Sequence, residues 1–355
     1  MNPRALFSRP RATIGTLLLV APLALLCAGA CSGSSEGEAS NDGSQAGSTA
    51  AGGGAGKAGA GGFTAGGGAG STAGGAGGGA GGKPPVGCGT VVTGTVRDFH
   101  AGGDFQCSNS GWVDAANKDC GPWDPEIVGA LGAPLGPNKK PAYAGTSKTP
   151  STTGAAAFAK WFEDSPGVNL SSPLDLTLTA GATGTFALDT AFFFPIDGKL
   201  YAATAGDPDQ GPFKSDDGAA RNFHFTYELH TTFRYDPGNV FTFRGDDDVF
   251  VYVNGKLAVN LGGIHVPMQA KLALDTGRVE LTVEPQWESL VKLAPRPALG
   301  LTDTIPGGVA GTVNLGLEAG KVYDLDFFFA ERNCCASNFR VETNLVFIDC
   351  GADVK

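Results

Sequence analysis

Three consecutive carboxylates, Asp246, Asp247 and Asp248, interrupt the otherwise apolar stretch FTFRGDDDVFVYVNGKLAVNLGG that runs from Phe241 to Gly263. Adjacent ionised carboxylates repel one another, so a chain that holds three of them in one place needs a compensating positive charge, most simply a hard cation with oxygen ligands. The flanking residues supply the rigidity. Phe241 and Phe243 alternate with Thr242 and Arg244, the period of a half-buried strand, and Gly245 ends the pattern. Val249 to Val253 is apolar on both faces, as in a central strand, and Asn254-Gly255 has the residue types of a two-residue hairpin turn before Lys256 to Asn260 runs back. The carboxylates are therefore predicted at the mouth of a sheet, outside the apolar parity of both strands, so that their removal is expected to open no core cavity. The competing expectation is a solvated acidic turn.

Other chemistry-bearing residues are more scattered. His224, Glu228 and His230 share one face of the strand from Asn222 to Tyr235 with Thr226. Residues two apart on a strand are separated by nearly 7 Å, which is too far for His224 and Glu228 to share an ion, although Glu228 with His230 remains possible. A polar strand face is the expected role. No GxSxG, HExxH or phosphate-cradling glycine loop is present, so no catalytic residue is assigned. Trp287, in the stretch from Thr276 to Thr312, is a candidate for stacking on a sugar face, against the alternative of capping its own hairpin.

Several segments, taken in order, resemble one known family. The acid pair Asp246-Asp247 followed by strand residues and Asn254-Gly255 is similar to the acidic loop and hairpin of PA14-type domains, with Asp248 standing where a small residue is usual. More specifically, RDFH with a following DF (Arg97 to His100, Asp104, Phe105), WFEDSPGVN (Trp161 to Asn169), FFPIDG (Phe193 to Gly198), NFHFTYELHTTFRY (Asn222 to Tyr235), LGGIH (Leu261 to His265) and FFAER with SNFRVET (Phe328 to Thr343) resemble the fibro-slime domain, a PA14-like family of secreted microbial proteins. The resemblance implies a PA14-like β-sandwich or jelly-roll-type barrel. For sugar-binding relatives it implies a cis-linked acid pair, here Asp246 and Asp247, with calcium bridging protein and sugar hydroxyls. Asp248, Glu331 and Asn338 are further oxygen candidates for the shell, and His265 lies in a family motif within a loop. The stretch from Thr276 to Thr312 is an insertion relative to the family, and its alternating Val279, Leu281 and Val283 suggest an extra hairpin.

Composition divides the chain of 355 residues into three parts. Residues 1–30 read as a signal peptide, with Arg4, Arg9 and Arg11 ahead of an apolar run from Ile14 to Leu26 that is too short for a spanning helix. AGAC, Ala28 to Cys31, resembles a bacterial lipobox, which implies lipidation of Cys31, membrane attachment through that lipid and an outer-membrane or cell-surface location; secretion without lipid is the alternative. Residues 31–87 are nearly all Gly, Ala, Ser and Thr, too poor in apolar area to offset the entropy of ordering, and read as a disordered tether with a reach of roughly 40 Å. Residues 88–355 make one domain of many short strands, long loops and a short helix from Ala155 to Phe162, an all-β sandwich or barrel.

Cysteine usage agrees with export. Cys88, Cys107, Cys120, Cys334, Cys335 and Cys350 form an even set without CxxC spacing, read as three disulfides of open connectivity. Pairing Cys88 with Cys350 would join the first and last strands. The net charge of -10 and the lack of a basic stripe argue against nucleic acid. The expected function is binding of carbohydrate or of an envelope or extracellular polymer through a calcium-dependent acidic loop. A structural or adhesive envelope protein without a metal site, and a glycan-processing hydrolase with its site in the long loops, are the alternatives.

Overall fold

The computed structural model describes residues 90–101, 105, 123–181, 184–203, 214, 215, 217–332 and 336–349. The leader, the tether, Cys31 and all six domain cysteines lie outside these residues. Fifteen strands follow in order: β1 (Val91–Phe99), β2 (Asn169–Thr177), β3 (Thr179–Ala180), β4 (Phe186–Thr190), β5 (Phe225–Arg234), β6 (Val240–Gly245), β7 (Asp248–Val253), β8 (Lys256–Leu261), β9 (Met268–Ala273), β10 (Arg278–Val283), β11 (Leu301–Ile305), β12 (Gly308–Thr312), β13 (Val322–Glu331), β14 (Phe339–Thr343) and β15 (Val346–Asp349). They form two antiparallel sheets, one in the order β2-β1-β5-β13-β7-β8 with β15 also paired to β5, the other β11-β12-β10-β9-β6-β14-β4-β3. The all-β sandwich expected from the strand periodicity is the observed fold.

Alternation decides what each sheet buries. Phe225, Tyr227, Leu229 and Phe233 of β5, Val249, Val251 and Val253 of β7, and Leu325, Phe327 and Phe329 of β13 face Phe241, Phe243, Met268, Ala270, Leu281 and Phe339 of the opposite sheet in the main core. The intervening residues Phe250, Tyr252, Phe328 and Ala330 belong to a second core on the far side of the first sheet. That core is closed by Phe105, Ile127, Val128, Phe158, Trp161 and Phe162. The long segment between β1 and β2, read from sequence as loops, is therefore a third layer. Its presence explains why β7 and the end of β13 are apolar on both faces: each is buried twice. The short helix α1 spans Ala155–Phe158 rather than reaching Phe162. Beyond it the chain tightens into three-residue bonds, Lys160 N–H to Ala157 O and Trp161 N–H to Phe158 O, while the Asn169 amide donates to the carbonyls of Lys160 and Glu163 and stops the helix.

Residues 276–312 supply β10 and the β11–β12 hairpin, which extend the second sheet at one edge. At the other end of the chain, β15 pairs with Thr232 to Arg234 of β5. β13 already occupies the opposite edge of those residues, so β15 and β1 share one edge of β5. Among the described residues no helix is long and apolar enough to cross a membrane.

The polar face of β5 lies under the third layer and is charge-balanced. The two oxygens of Glu228 accept bonds from Arg97 Nη1 at 2.6 Å, from Lys140 Nζ and from His230 Nε2 at 2.5 Å, while His230 Nδ1 donates to Asp326 at 2.6 Å. Arg97 also holds Asp164 through Nε at 2.9 Å. Lys140 and Asp164 belong to the covering layer, so this cluster ties it to the sheet. Burial pulls the His230 pKa down, but the bonds to Asp326 and Glu228 outweigh it and leave it above the ordinary 6.5. Burial pushes Glu228 up, and His230, Arg97 and Lys140 together bring it below the ordinary 4.5. The stabilisation from His230 is thus complete below pH 6.5 and is lost as pH rises through its raised value; that from Glu228 is present above pH 4.5 and is lost only as pH falls through its lowered value. Thermal melting across pH 5 to 10 is expected to show an alkaline loss that His230→Gln removes; the same alkaline slope in both proteins would contradict the assignment.

Candidate cation site at the acidic loop

Gly245 ends β6 where a side chain has no room: a Cβ there would sit 2.2 Å from the Asn338 carbonyl oxygen of neighbouring β14's approach. The close packing lets the chain turn at once into the acids, through a cis Asp246–Asp247 peptide, and start β7 at Asp248. The three carboxylates are not a solvated turn. Asp246, Asp247 and Asp248 are 6%, 2% and 0% exposed.

Each acid has a different neighbour, which separates their roles. Arg332 Nε donates to Asp248 Oδ2 at 2.6 Å and Nη2 to Oδ1 at 3.0 Å, and the Gly263 amide adds a bond to Oδ1 at 2.6 Å. The guanidinium is fully buried, donates from Nη1 to the Ser151 carbonyl at 2.6 Å and lies 4.3 Å over the Trp161 ring. Asp248 is therefore held in a two-point ion pair, with Oδ1 accepting two hydrogen bonds and Oδ2 one, so it has less to offer a cation than its two neighbours. Part of the compensating charge anticipated for the acid run is this arginine. No periodicity marks Arg332; the one signal is its place as the lone cation ending an apolar strand, FFAER.

Asp246 and Asp247 have no such cation. Asp246 Oδ1 accepts the Asn338 amide N–H at 2.5 Å and Oδ2 its side-chain Nδ2 at 3.0 Å. Asp247 Oδ1 accepts the His265 N–H at 3.2 Å and Oδ2 the Arg332 N–H at 3.0 Å. Burial raises the Asp246 pKa against the pull of the Asn338 bonds. Asp247 is driven well above the usual carboxylate range by burial and by the charges of Asp248 and Asp246, with Arg332 opposing. These bonds add a consequence to the loss of the pair beyond the absence of a core cavity. No apolar cavity would open, but two buried backbone N–H groups, of His265 and Arg332, and the half-buried one of Asn338 would lose full carboxylate acceptors.

The remaining sequence candidates divide. Asn338 is brought onto Asp246. His265 reaches Asp247 through its backbone alone, since its ring nitrogens lie 2.8 Å from the Val266 carbonyl and 3.1 Å from that of Leu261 and tie the loop to itself. Glu331 is buried at the end of β13. Trp287 sits in a 3-10 turn, Pro285–Trp287, and packs half-buried against the main core, away from the acid pair's hydrogen bonds. Among the described residues, no three His, Cys, Asp or Glu side chains surround a common metal-sized centre. The donors at the acid pair are its four carboxylate oxygens, each carrying one protein hydrogen bond and one further lone pair, while the Asn338 side chain meets Asp246 through Nδ2. That set suits a hard cation completed by carbonyls and water, and suits no soft metal.

No protein-family profile matches the chain. It is similar to three proteins of Dictyostelium discoideum: psiR (32% identical over 216 residues, 60% of this chain and 18% of psiR), psiQ (32% over 190 residues, 53% and 15%) and psiD (31% over 192 residues, 54% and 30%). The matched region spans less than a third of each relative.

Removing one partner of a buried pair leaves the other charge without compensation, at a cost of about 3–5 kcal/mol. Arg332→Met is expected to lose stability on that scale in urea denaturation, while Arg332→Met with Asp248→Leu recovers part of it; full stability in the single variant would show that the pair does not hold the loop.

Proposed function

We propose that residues 88–355 form a fibro-slime-type, PA14-like binding domain that holds Ca²⁺ at Asp246 and Asp247 and takes up carbohydrate of an envelope or extracellular polymer. The observation that carries the reading is a buried pair of carboxylates to which, among the described residues, no guanidinium donates, the Arg332 side chain being committed to Asp248. Two adjacent buried acids without a bound cation are costly to ionise, and a divalent ion relieves both the burial and the repulsion. Asn338, which gives Nδ2 to Asp246, would enter the shell as a third side chain only on rotating its amide to present oxygen, with loss of that bond. When bound, the ion supplies a positive centre that accepts sugar hydroxyls as ligands; the chain's own residues hold the acid pair, exclude water beneath it and fix its direction through Asn338, His265 and Arg332.

One observation favours the rival reading of a purely structural acidic loop. All four oxygens of the pair already accept a hydrogen bond from the protein. Calorimetry separates the two. Calcium at neutral pH is expected to give heat at one site and, at a hundred times its dissociation constant, about 2.7 kcal/mol of added stability. Asp246→Asn with Asp247→Asn is expected to abolish both, and to cost about 1–3 kcal/mol without calcium through the weakened acceptors. Wild-type protein that gives neither heat nor a melting shift leaves the structural loop as the function of these acids.

We further propose that the domain is displayed from a membrane by a lipid on Cys31, with the Gly/Ala/Ser segment as spacer. The support is the leader and the AGAC run in the sequence. Full-length protein made in a bacterial host should fractionate with membranes and Cys31→Ser should release it; a soluble wild type would leave ordinary secretion.

A further inference from the structure

One end of the second sheet brings a row of strand ends together. The register joins Thr190 of β4, Phe339 of β14, Gly245 of β6, Met268 of β9 and Val283 of β10 in a line. The acid pair leaves this line at Gly245. On the β4 side, the chain runs on to Phe192, which is 48% exposed, bridges Ser337 and so adjoins Asn338, the partner of Asp246. On the β10 side lies a cleft of about 450 Å³ whose lining includes Arg244, Pro267, Gln269, Thr282, Pro285 and Glu288. Arg244 stands two residues before Asp246, and Pro267 two after His265, whose N–H bonds Asp247. The wall of the cleft and the acid pair are thus built on the same two backbone segments.

The chemistry of the row suits a sugar chain. An exposed phenyl ring offers its face to the C–H side of a pyranose, and prolines give stiff apolar walls. Gln269, Thr282 and Glu288 have no protein hydrogen-bond partner for their side chains among the described residues. Arg244 gives Nε and Nη2 to one Glu284 oxygen, at 3.0 and 2.7 Å, and keeps Nη1. Two carboxylates, Glu284 and Glu288, stand against one guanidinium, which disfavours uronates and sulfated sugars. Neighbouring strands are about 4.8 Å apart, so β4 to β10 spans about 19 Å, the length of about four pyranose units.

We propose that this row is one extended site for a neutral oligosaccharide segment, with the acid pair at its centre, Phe192 under one sugar and the Arg244–Glu288 cleft receiving the sugars on the other side. The proposal rests on the cation reading above and adds to it the length and charge class of the ligand. The test is titration calorimetry of the mature chain with calcium alone, then in saturating calcium with maltotetraose, mannotetraose, cellotetraose, chitotetraose and tetragalacturonate and with the matching monosaccharides. One neutral tetrasaccharide is expected to bind at least tenfold more tightly than its monosaccharide. Phe192→Ala, and separately Gln269→Ala with Glu288→Ala, are expected to reduce that advantage to less than threefold while leaving calcium affinity and monosaccharide affinity unchanged. Equal affinity for monomer and tetramer, variants that keep the full advantage, or preference for tetragalacturonate would overturn the extended neutral site while the cation reading stands. Loss of the calcium heat in wild type would instead remove the cation reading and this proposal with it.

Discussion

The buried pair between Asp248 and Arg332 is the contact on which the acidic end of this domain depends. It joins the first residue of β7 to the residue after β13, and through Ser151, Trp161 and the Gly263 amide it reaches the covering layer and the loop after β8. Taking two charges out of water is expensive, and Coulomb attraction offsets that only when geometry is good and the remaining donors are satisfied. Here the guanidinium presents two nitrogens to the carboxylate, a third to a carbonyl and its plane to an indole. The geometry that makes the pair tolerable also makes it specific, because no other cation reaches that place among the described residues.

That commitment sets the chemistry of its neighbours. With Arg332 bound to Asp248, the charges of Asp246 and Asp247 are left to hydrogen bonds, which lower the cost of ionisation without cancelling it. The contrast with the Glu228 cluster is instructive. There three carboxylates, Glu228, Asp326 and Asp164, face Arg97, Lys140 and an imidazole, the charges balance, and the groups hold a layer in place. A balanced cluster holds structure together, whereas an unbalanced one invites a ligand. This difference in charge accounting, rather than the number of acids, is the reason a cation is proposed at the end of β6.

The third layer shapes both sites. Without the segment between β1 and β2, Phe250, Tyr252 and Phe328 would face water, Arg332 would lose its carbonyl and its indole, and Glu228 would lose Lys140. The second core and the two charged clusters therefore stand together. The second sheet keeps its outer face polar, and only its strand ends meet the acid pair. A ligand approaching there meets a surface framed by rigid sheet and prolines.

How much of this was legible in the chain depends on the range of the interaction. Strand alternation made β5 and β6 readable almost to the residue, because side-chain parity is a local consequence of the pleat, and an unbroken apolar run did the same for β7. The Asn254-Gly255 turn was legible for the same kind of reason, with positive φ at both residues. The adjacency of Asp246, Asp247 and Asp248 marked the site and the need for positive charge. What answered that need could not be read. Arg332 lies 84 residues from Asp248, and only the pairing of β13 with β7 sets one beside the other. The same holds for the burial of the acids, for the cover that turns a loop region into a layer, for Trp287 folding back on the core, and for Phe192 adjoining Asn338. Sequence by itself determined the sandwich class and the place of the acidic loop, since both follow from neighbouring residues. Tertiary structure alone decided which acid is paired, which pair is left, and what surrounds it, because those depend on desolvation and on contacts between residues far apart along the chain.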